Sequence, residues 1–423
     1  MGYKISKNLP YQILFGICVG VTYLNIYELT FAVWIFTIGL TVKNNYSKTL
    51  LKYILCFIAI LAIALVSSFF YENNLYDSIR DLTYLIKPIL GFIVGYQLCR
   101  NYNINPFKTI VYTGIAIALV HLSIILHSVI IYKITNIHVL RQNAGYFSDF
   151  EVYSLIVAMF HKQLGIFFSR KKFWMIILIL SVSSFLYLSR TNMIQFVIFY
   201  LAMKGYLSMN KKSIIVFSFI SAFTIIGYSI IYNMNLSRNG KGIEALLFKI
   251  KNAPIEPFKT KVDKDDWQDF NDNYRSFENI KTVRQVSNEG LEAVLFGKGL
   301  GATTDIGRVM PTNEGTFVRH QAILHNACMT VFLKSGLFGV FFLMLSVYFL
   351  CRQRKSNIAI VNQTNLILFS TGIYLVVANW VLLGLFLKLD NKSIIIGFLI
   401  CYRELIIRKA NNEALLNKPD YAN

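Results

Sequence analysis

Long apolar runs separated by short polar gaps fill most of the chain, among them YILCFIAILAIALVSSFF (Tyr53 to Phe70), KTIVYTGIAIALVHLSIILHSVIIY (Lys108 to Tyr132) and SIIVFSFISAFTIIGYSIIY (Ser213 to Tyr232). Each reaches or approaches the roughly 20 residues that a helix needs, at about 1.5 Å per residue, to cross about 30 Å of hydrocarbon. About twelve spans are expected, near residues 8–24, 27–42, 50–70, 83–99, 108–132, 150–168, 172–188, 191–204, 213–233, 322–350, 363–387 and 391–406. The pattern predicts an all-α polytopic membrane protein. The division expected is 1–234 (spans one to nine), 235–321 (a large loop subdomain) and 322–423 (spans ten to twelve and a tail). The first run has no small-residue cleavage pattern and meets a second at once, so it is expected to stay as a span.

Composition agrees with this pattern: 55% of the 423 residues are hydrophobic and 15% charged, against about 25% charged in soluble domains. A net charge of +20 would point to nucleic acid in a soluble protein, but the positions of the cations decide otherwise. They gather in every second connection: Lys4 and Lys7; Lys43, Lys48 and Lys52; Arg100 and Lys108; Arg170, Lys171 and Lys172; Lys204, Lys211 and Lys212; Arg352, Arg354 and Lys355; Arg403, Arg408 and Lys409. By the positive-inside rule these segments are cytoplasmic, both termini lie inside and the 235–321 segment lies outside. No nucleic-acid partner is expected.

The outer loop is too long for a simple connector. Lys241 to Asn252 reads as a short amphipathic helix. From Trp267, the spacing of Phe270, Tyr274, Phe277 and Ile280 predicts another with one buried stripe. Arg275 and Arg284 lie nine residues apart on it and so on opposite faces of an unbroken helix. The structural alternative for each is a surface arginine, and Glu278 is placed to pair with Arg275. Glycines at 297, 299 and 301 match neither nucleotide-binding fingerprint, and serve a tight turn or a close backbone approach. His325 and Asn326 stand at the outer mouth of the tenth span. The six cysteines lie in or beside spans without a C-x-x-C pair, and His320 and His325 lack a third ligand, so neither a disulfide framework nor a metal site is expected.

Lys87 falls inside the fourth span with Gly91 and Gly95 on its face, where another helix can pack closely. It either snorkels outward or faces an outward-open polar cavity. Arg190 sits in the tight outer turn between the seventh and eighth spans, and Arg141 in the outer loop after the fifth. Lys87, Arg141, Arg190, a loop arginine and His325 together place cations and one titratable base on the outer side, an arrangement suited to a diphosphate.

In order, the SRTNMIQF turn, the long arginine-bearing outer loop, FGKGLG and LHNACMTVFLKSGLFGVFFL resemble the O-antigen polymerase and O-antigen ligase superfamily of Wzy-type polymerases and WaaL-type ligases. The resemblance covers residues 188 to 345, and His-Asn followed by Ser-Gly-Leu-Phe-Gly is its most specific part. The family carries an aromatic residue and a proline before the FGKGLG segment, and the EGLEAVL that precedes it here has neither. The resemblance implies a C-type glycosyltransferase in the bacterial inner membrane, working without metal or other cofactor on undecaprenyl-diphosphate-linked oligosaccharide. A chain-length regulator and a flippase would be its partners. His325 would act on the acceptor hydroxyl, while Arg190, Arg284 or Arg275, and Lys87 would bind the diphosphate, with Arg141 and Asn326 as further substrate contacts. Polymerase of O-antigen or capsule is the expected activity. The alternatives are ligation to lipid A core, a lipid-linked sugar flippase or transporter, and a non-catalytic scaffold.

Overall fold

A computed structural model describes residues 8–43, 46–101, 105–134, 139–140, 149–187, 189–207, 211–237, 243–252, 259, 261–263, 266–311, 317–352 and 355–416. The described helices begin with α1 (Leu9–Gly20), α2 (Tyr27–Thr41), α3 (Lys48–Ser67), α4 (Leu75–Arg100), α5 (Pro106–Ile130), α6 (Phe150–Met159), α7 (Arg170–Leu186), α8 (Arg190–Met203) and α9 (Lys211–Asn233). Then come α10 (Ile243–Asn252), α11 (Trp267–Asp272), α12 (Tyr274–Asn288), α13 (Leu291–Phe296), strands β1 (Thr304–Pro311) and β2 (Phe317–Gln321), and helices α14 (Ala327–Cys351), α15 (Ala359–Val381) and α16 (Lys392–Leu416).

Five of these helices, α3, α4, α5, α14 and α15, are long and apolar enough to cross a membrane. Their outward faces remain apolar: on α5, Leu119, Val120, Leu126 and Ile130 are exposed, and on α3, Leu51, Leu55 and Val66. Such continuous exposed apolar surface is unfavourable in water and suited to lipid. The chain is a multi-pass helical membrane protein.

The chain forms two compact units. The first comprises residues 1–62, 82–203 and 341–423, the second 63–81 and 204–340. In the first unit, α4 and α16 meet with almost no space between backbones. A Cβ at Gly91 would lie 2.0 Å from Ser393 Oγ, one at Gly95 1.9 Å from the Ile394 carbonyl, and one at Gly397 2.2 Å from the Phe92 carbonyl. The small-residue face expected beside Lys87 therefore does hold a neighbouring helix. The segment expected as a sixth span is shorter than anticipated, since α6 has ten residues and gives way to turns from Phe160 to Gly165. Nine of its residues, Phe150 to Ala158, are buried.

The second unit contains the large loop. Among its described residues apolar clusters form from Val286, Ala293, Ala302, Phe332 and Leu333 and from Phe270, Phe277 and Ile306. The predicted stripe from Trp267 is real but interrupted at Asn273, giving α11 and α12. The unit is not purely helical: β1 and β2 form an antiparallel hairpin, with Asp305 opposite His320 and an irregularity between Asp305 and Met310.

Candidate functional site

The second unit brings together α12, the hairpin and the start of α14 around His325. Asn326 caps α14, its Oδ1 accepting from Met329 N at 3.1 Å, as short polar side chains do at helix starts. Thr330 Oγ1 donates to the Asn326 carbonyl at 2.9 Å and accepts from Leu324 N at 3.2 Å, fixing the chain on either side of His325. Asn326 is thus engaged in the backbone turn, while its buried Nδ2 has no hydrogen-bond partner among the described residues.

His325 faces Glu278 of α12. The ring Nδ1 lies 3.1 and 3.2 Å from the two carboxylate oxygens, and the His325 backbone N–H donates to Oε2 at 3.1 Å. Glu278 is fully buried, whereas the His325 side chain is 53% exposed. A carboxylate accepts only, so Nδ1 carries the proton and Nε2 keeps its lone pair when the ring is neutral. The Tyr274 ring meets His325 edge-on, with centroids 5.5 Å apart. Burial and then the Glu278 carboxylate push the Tyr274 hydroxyl above its ordinary range, so it stays protonated. The group is an oriented imidazole on a buried anion, able to take a proton at Nε2.

Glu278 therefore pairs with His325, and the local pairing with Arg275 suggested by spacing gives way to it. Helix α12 is continuous from Tyr274 to Asn288. At about 100° per residue, Tyr274 and Arg275 lie within about 60° of Glu278, while Arg284 lies about 120° away. Arg275 is half-buried in the histidine sector. Arg284 lines a separate cavity of about 470 Å³ with Lys261, Lys281, Phe277, Asp263 and Asp269.

Below His325 on α14, Lys334 and Asp81 form a buried ion pair at 2.5 Å, each 1% exposed. Asp81 Oδ2 also accepts from Gly301 N at 2.7 Å, and Lys334 donates to the Ala302 carbonyl. Gly336, at φ +62°, interrupts the helix just past this pair. The break frees the carbonyls of Leu333 and Lys334, which accept from Lys298 N at 2.8 Å and Gly299 N at 3.1 Å. The glycine segment is the backbone partner of that break. A Cβ at Gly336 would lie 2.3 Å from Leu295 C, and one at Gly297 2.4 Å from Lys334 C.

The first unit holds the remaining expected residues. Arg190 is exposed at the start of α8. Lys87 opens on no polar cavity: it is fully buried, donates to the carbonyls of Leu387 and Asp390 at 2.7 Å each, and lies 5.4 Å from the centre of the Trp34 ring. Beside it Lys392 pairs with both Asp149 and Asp390. Arg141 lies outside the described residues. Sequence reasoning missed Glu278 as the histidine's partner and the Asp149, Asp390 and Lys392 network. The only local signal for the network was KLDNK, a charged stretch between two apolar runs. Among the described residues no three His, Cys, Asp or Glu side chains gather as metal ligands. No protein-family model matches the chain, and no curated protein matches it.

Proposed function

We propose that the chain is a repeat-unit polymerase of O-antigen or capsule polysaccharide, a glycosyltransferase that moves an undecaprenyl-diphosphate-linked glycan onto an acceptor sugar hydroxyl. The observation that carries this reading is His325, exposed, oriented by the buried Glu278 and placed just before a helix of membrane length. In the proposed reaction the acceptor oxygen attacks the anomeric carbon and its proton passes to His325 Nε2. The bond from that carbon to the phosphate oxygen breaks, and its electron pair leaves with undecaprenyl diphosphate. Arg275, in the histidine sector of α12, is the loop arginine assigned to the leaving diphosphate, since charge developing on phosphate oxygen is stabilised by a fixed guanidinium. Arg190 is assigned there on the resemblance alone.

The same reading gives twelve crossings of the bacterial inner membrane, both termini in the cytoplasm and the 235–321 segment outside. Deleting the gene and running surface polysaccharide and lipid-linked glycans on a gel tests it. A single repeat unit on the acceptor lipid, with the ladder lost, is the expected outcome. Long chains stranded on undecaprenyl diphosphate would make the protein a ligase, and an unchanged ladder would remove both activities. The buried charges Lys87, Asp149, Asp390 and Lys392 favour a second reading, a lipid-linked sugar transporter, because ionisable groups within a membrane bundle commonly mark transport paths. Elongation of lipid-linked repeats by purified protein without an ion gradient would exclude it.

A further inference from the structure

At one end of the first unit, the start of α3, the end of α14, the start of α15 and the last part of α16 line an open surface cavity of about 690 Å³. Lys52, Arg352, Lys355 and Arg403 line it, on three of those four helices or their flanks. Tyr53 and Phe349, with rings 6.1 Å apart at 85°, form part of an apolar wall. One carboxylate, Glu404, reaches the lining, and its two oxygens accept from Ser47 and from Tyr96 at 3.0 Å. Arg403 is braced by Asn365 Oδ1 at 3.1 Å, and Arg352 lies 5.8 Å over the Tyr348 ring. Among the described residues no carboxylate lies within ion-pair distance of Lys52, Arg352 or Lys355.

We propose that this cavity is a phosphate-anion site, occupied by the headgroup of an anionic phospholipid. Three features select that chemistry. The cavity has the size of a ligand site. Guanidinium and ammonium groups that line one cavity from separate helices and their flanks can match the several oxygens of a phosphate. The site lies at the ends of three helices long enough to cross a membrane, the level at which lipid phosphates sit, and basic pockets between such helices bind acidic headgroups. The cationic side receives the phosphodiester while the Tyr53 and Phe349 wall faces the glycerol and acyl chains. The site is independent of the chemistry proposed for His325.

Full-length protein, delipidated in neutral detergent, is titrated with short-chain phosphatidylglycerol, phosphatidylcholine and glycerol 3-phosphate, with the unfolding midpoint as readout. Phosphatidylglycerol is expected to bind at least tenfold more tightly than phosphatidylcholine. Arg352→Gln, and the triple variant Lys52→Gln, Arg352→Gln, Lys355→Gln, are expected to remove that preference. The charge-keeping set Lys52→Arg, Arg352→Lys, Lys355→Arg should retain it, which separates lost charge from lost folding. Glycerol 3-phosphate binding as tightly as the lipid, and lost in the same variants, would keep the phosphate site and assign it to a soluble anion. Equal phosphatidylglycerol affinity in wild type and Arg352→Gln, or equal affinity for both lipids, would overturn the proposal.

Discussion

In the proposed reaction the His325 imidazole acts through what holds it: Nδ1 faces the buried Glu278 carboxylate and Nε2 is the nitrogen assigned to the acceptor proton. His325→Ala is expected to lower the transfer rate by roughly 10²–10⁴-fold with expression unchanged. Glu278→Ala should lower kcat more than it raises KM, because it releases the ring without removing it. Full-length polysaccharide from His325→Ala cells would take the residue out of the mechanism. Arg275→Ala should impair transfer more than Arg284→Ala, and the reverse order would move the diphosphate to the Lys261, Lys281 and Arg284 cavity. On the hairpin, Arg319 forks onto Asp305 through Nε at 2.7 Å and Nη2 at 2.8 Å. This hydrogen bonding lowers the Asp305 carboxyl to about 2. A carboxyl lowered on folding contributes stability above its ordinary value and loses it as pH falls through the folded one. Amide exchange in β1 and β2 should therefore accelerate as pH drops from about 4 towards 2, beyond the intrinsic change, and Arg319→Ala should abolish the difference. The position of His325 just before a long apolar helix was legible in the sequence. Its partner was not, since Glu278 is 47 residues away and helical spacing offers Arg275 first.

Elements long in apolar residues were legible, and their interruptions were not. Helix α14 reads as one 25-residue run, yet Gly336 turns left-handed within it and the freed carbonyls bind the Lys298 and Gly299 amides. A glycine in an apolar run carries no local sign of a distant backbone partner, and the glycines at 297 and 299 were the complementary half of the same feature. Hairpin β1–β2 was not legible because polar and charged residues break the alternation along both strands and their pairing is irregular in register. Gly336→Ala and Gly297→Ala should each destabilise the second unit strongly. Both positions have positive φ, which costs a side chain about 1–3 kcal/mol, and both add a Cβ against backbone that has no room to yield. Gly290→Ala is the control: its φ is +106°, but nothing lies within 4 Å of the added methyl, so only the backbone strain applies. Unfolding midpoints in detergent should rank Gly290→Ala well above the other two. Equal midpoints would mean that the glycine segment does not brace the break. The Asp81 and Lys334 pair lies at the same junction, and removing either charge alone should cost about 3–5 kcal/mol, because the other is left buried without its partner.

At the scale of the whole molecule, the orientation proposed from the cationic connections implies a crossing between Tyr132 and Arg170, where the described helix α6 is only ten residues long. Ten residues of helix rise about 15 Å, half of the hydrocarbon thickness. Under the proposed orientation the rest of that crossing falls to chain outside α6, and irregular backbone is tolerated at membrane depth only when protein surrounds it. Phe150 to Ala158 are buried on every face of α6, but after Met159 only Phe160, His161, Leu164 and Ile166 are buried, while Lys162, Gln163, Gly165 and Phe167 are exposed, so this segment is where the proposed orientation is weakest. The orientation is therefore testable one residue at a time. Tyr132 is 64% exposed, and Lys171, Asn288 and Lys409 are exposed as well, so cysteine at each should leave the fold intact. The native cysteines are buried, apart from the half-buried Cys351, so background labelling should be low. With a membrane-impermeant maleimide on intact spheroplasts, Tyr132→Cys and Asn288→Cys should label at once. Lys171→Cys and Lys409→Cys should label only after permeabilisation. Labelling of Lys171→Cys from outside would mean that the α6 segment re-enters without crossing. Every later segment would then change sides, the long loop with its His325 and Glu278 pair would face the cytoplasm, and the proposed reaction on a lipid-linked glycan outside the membrane would fail with it.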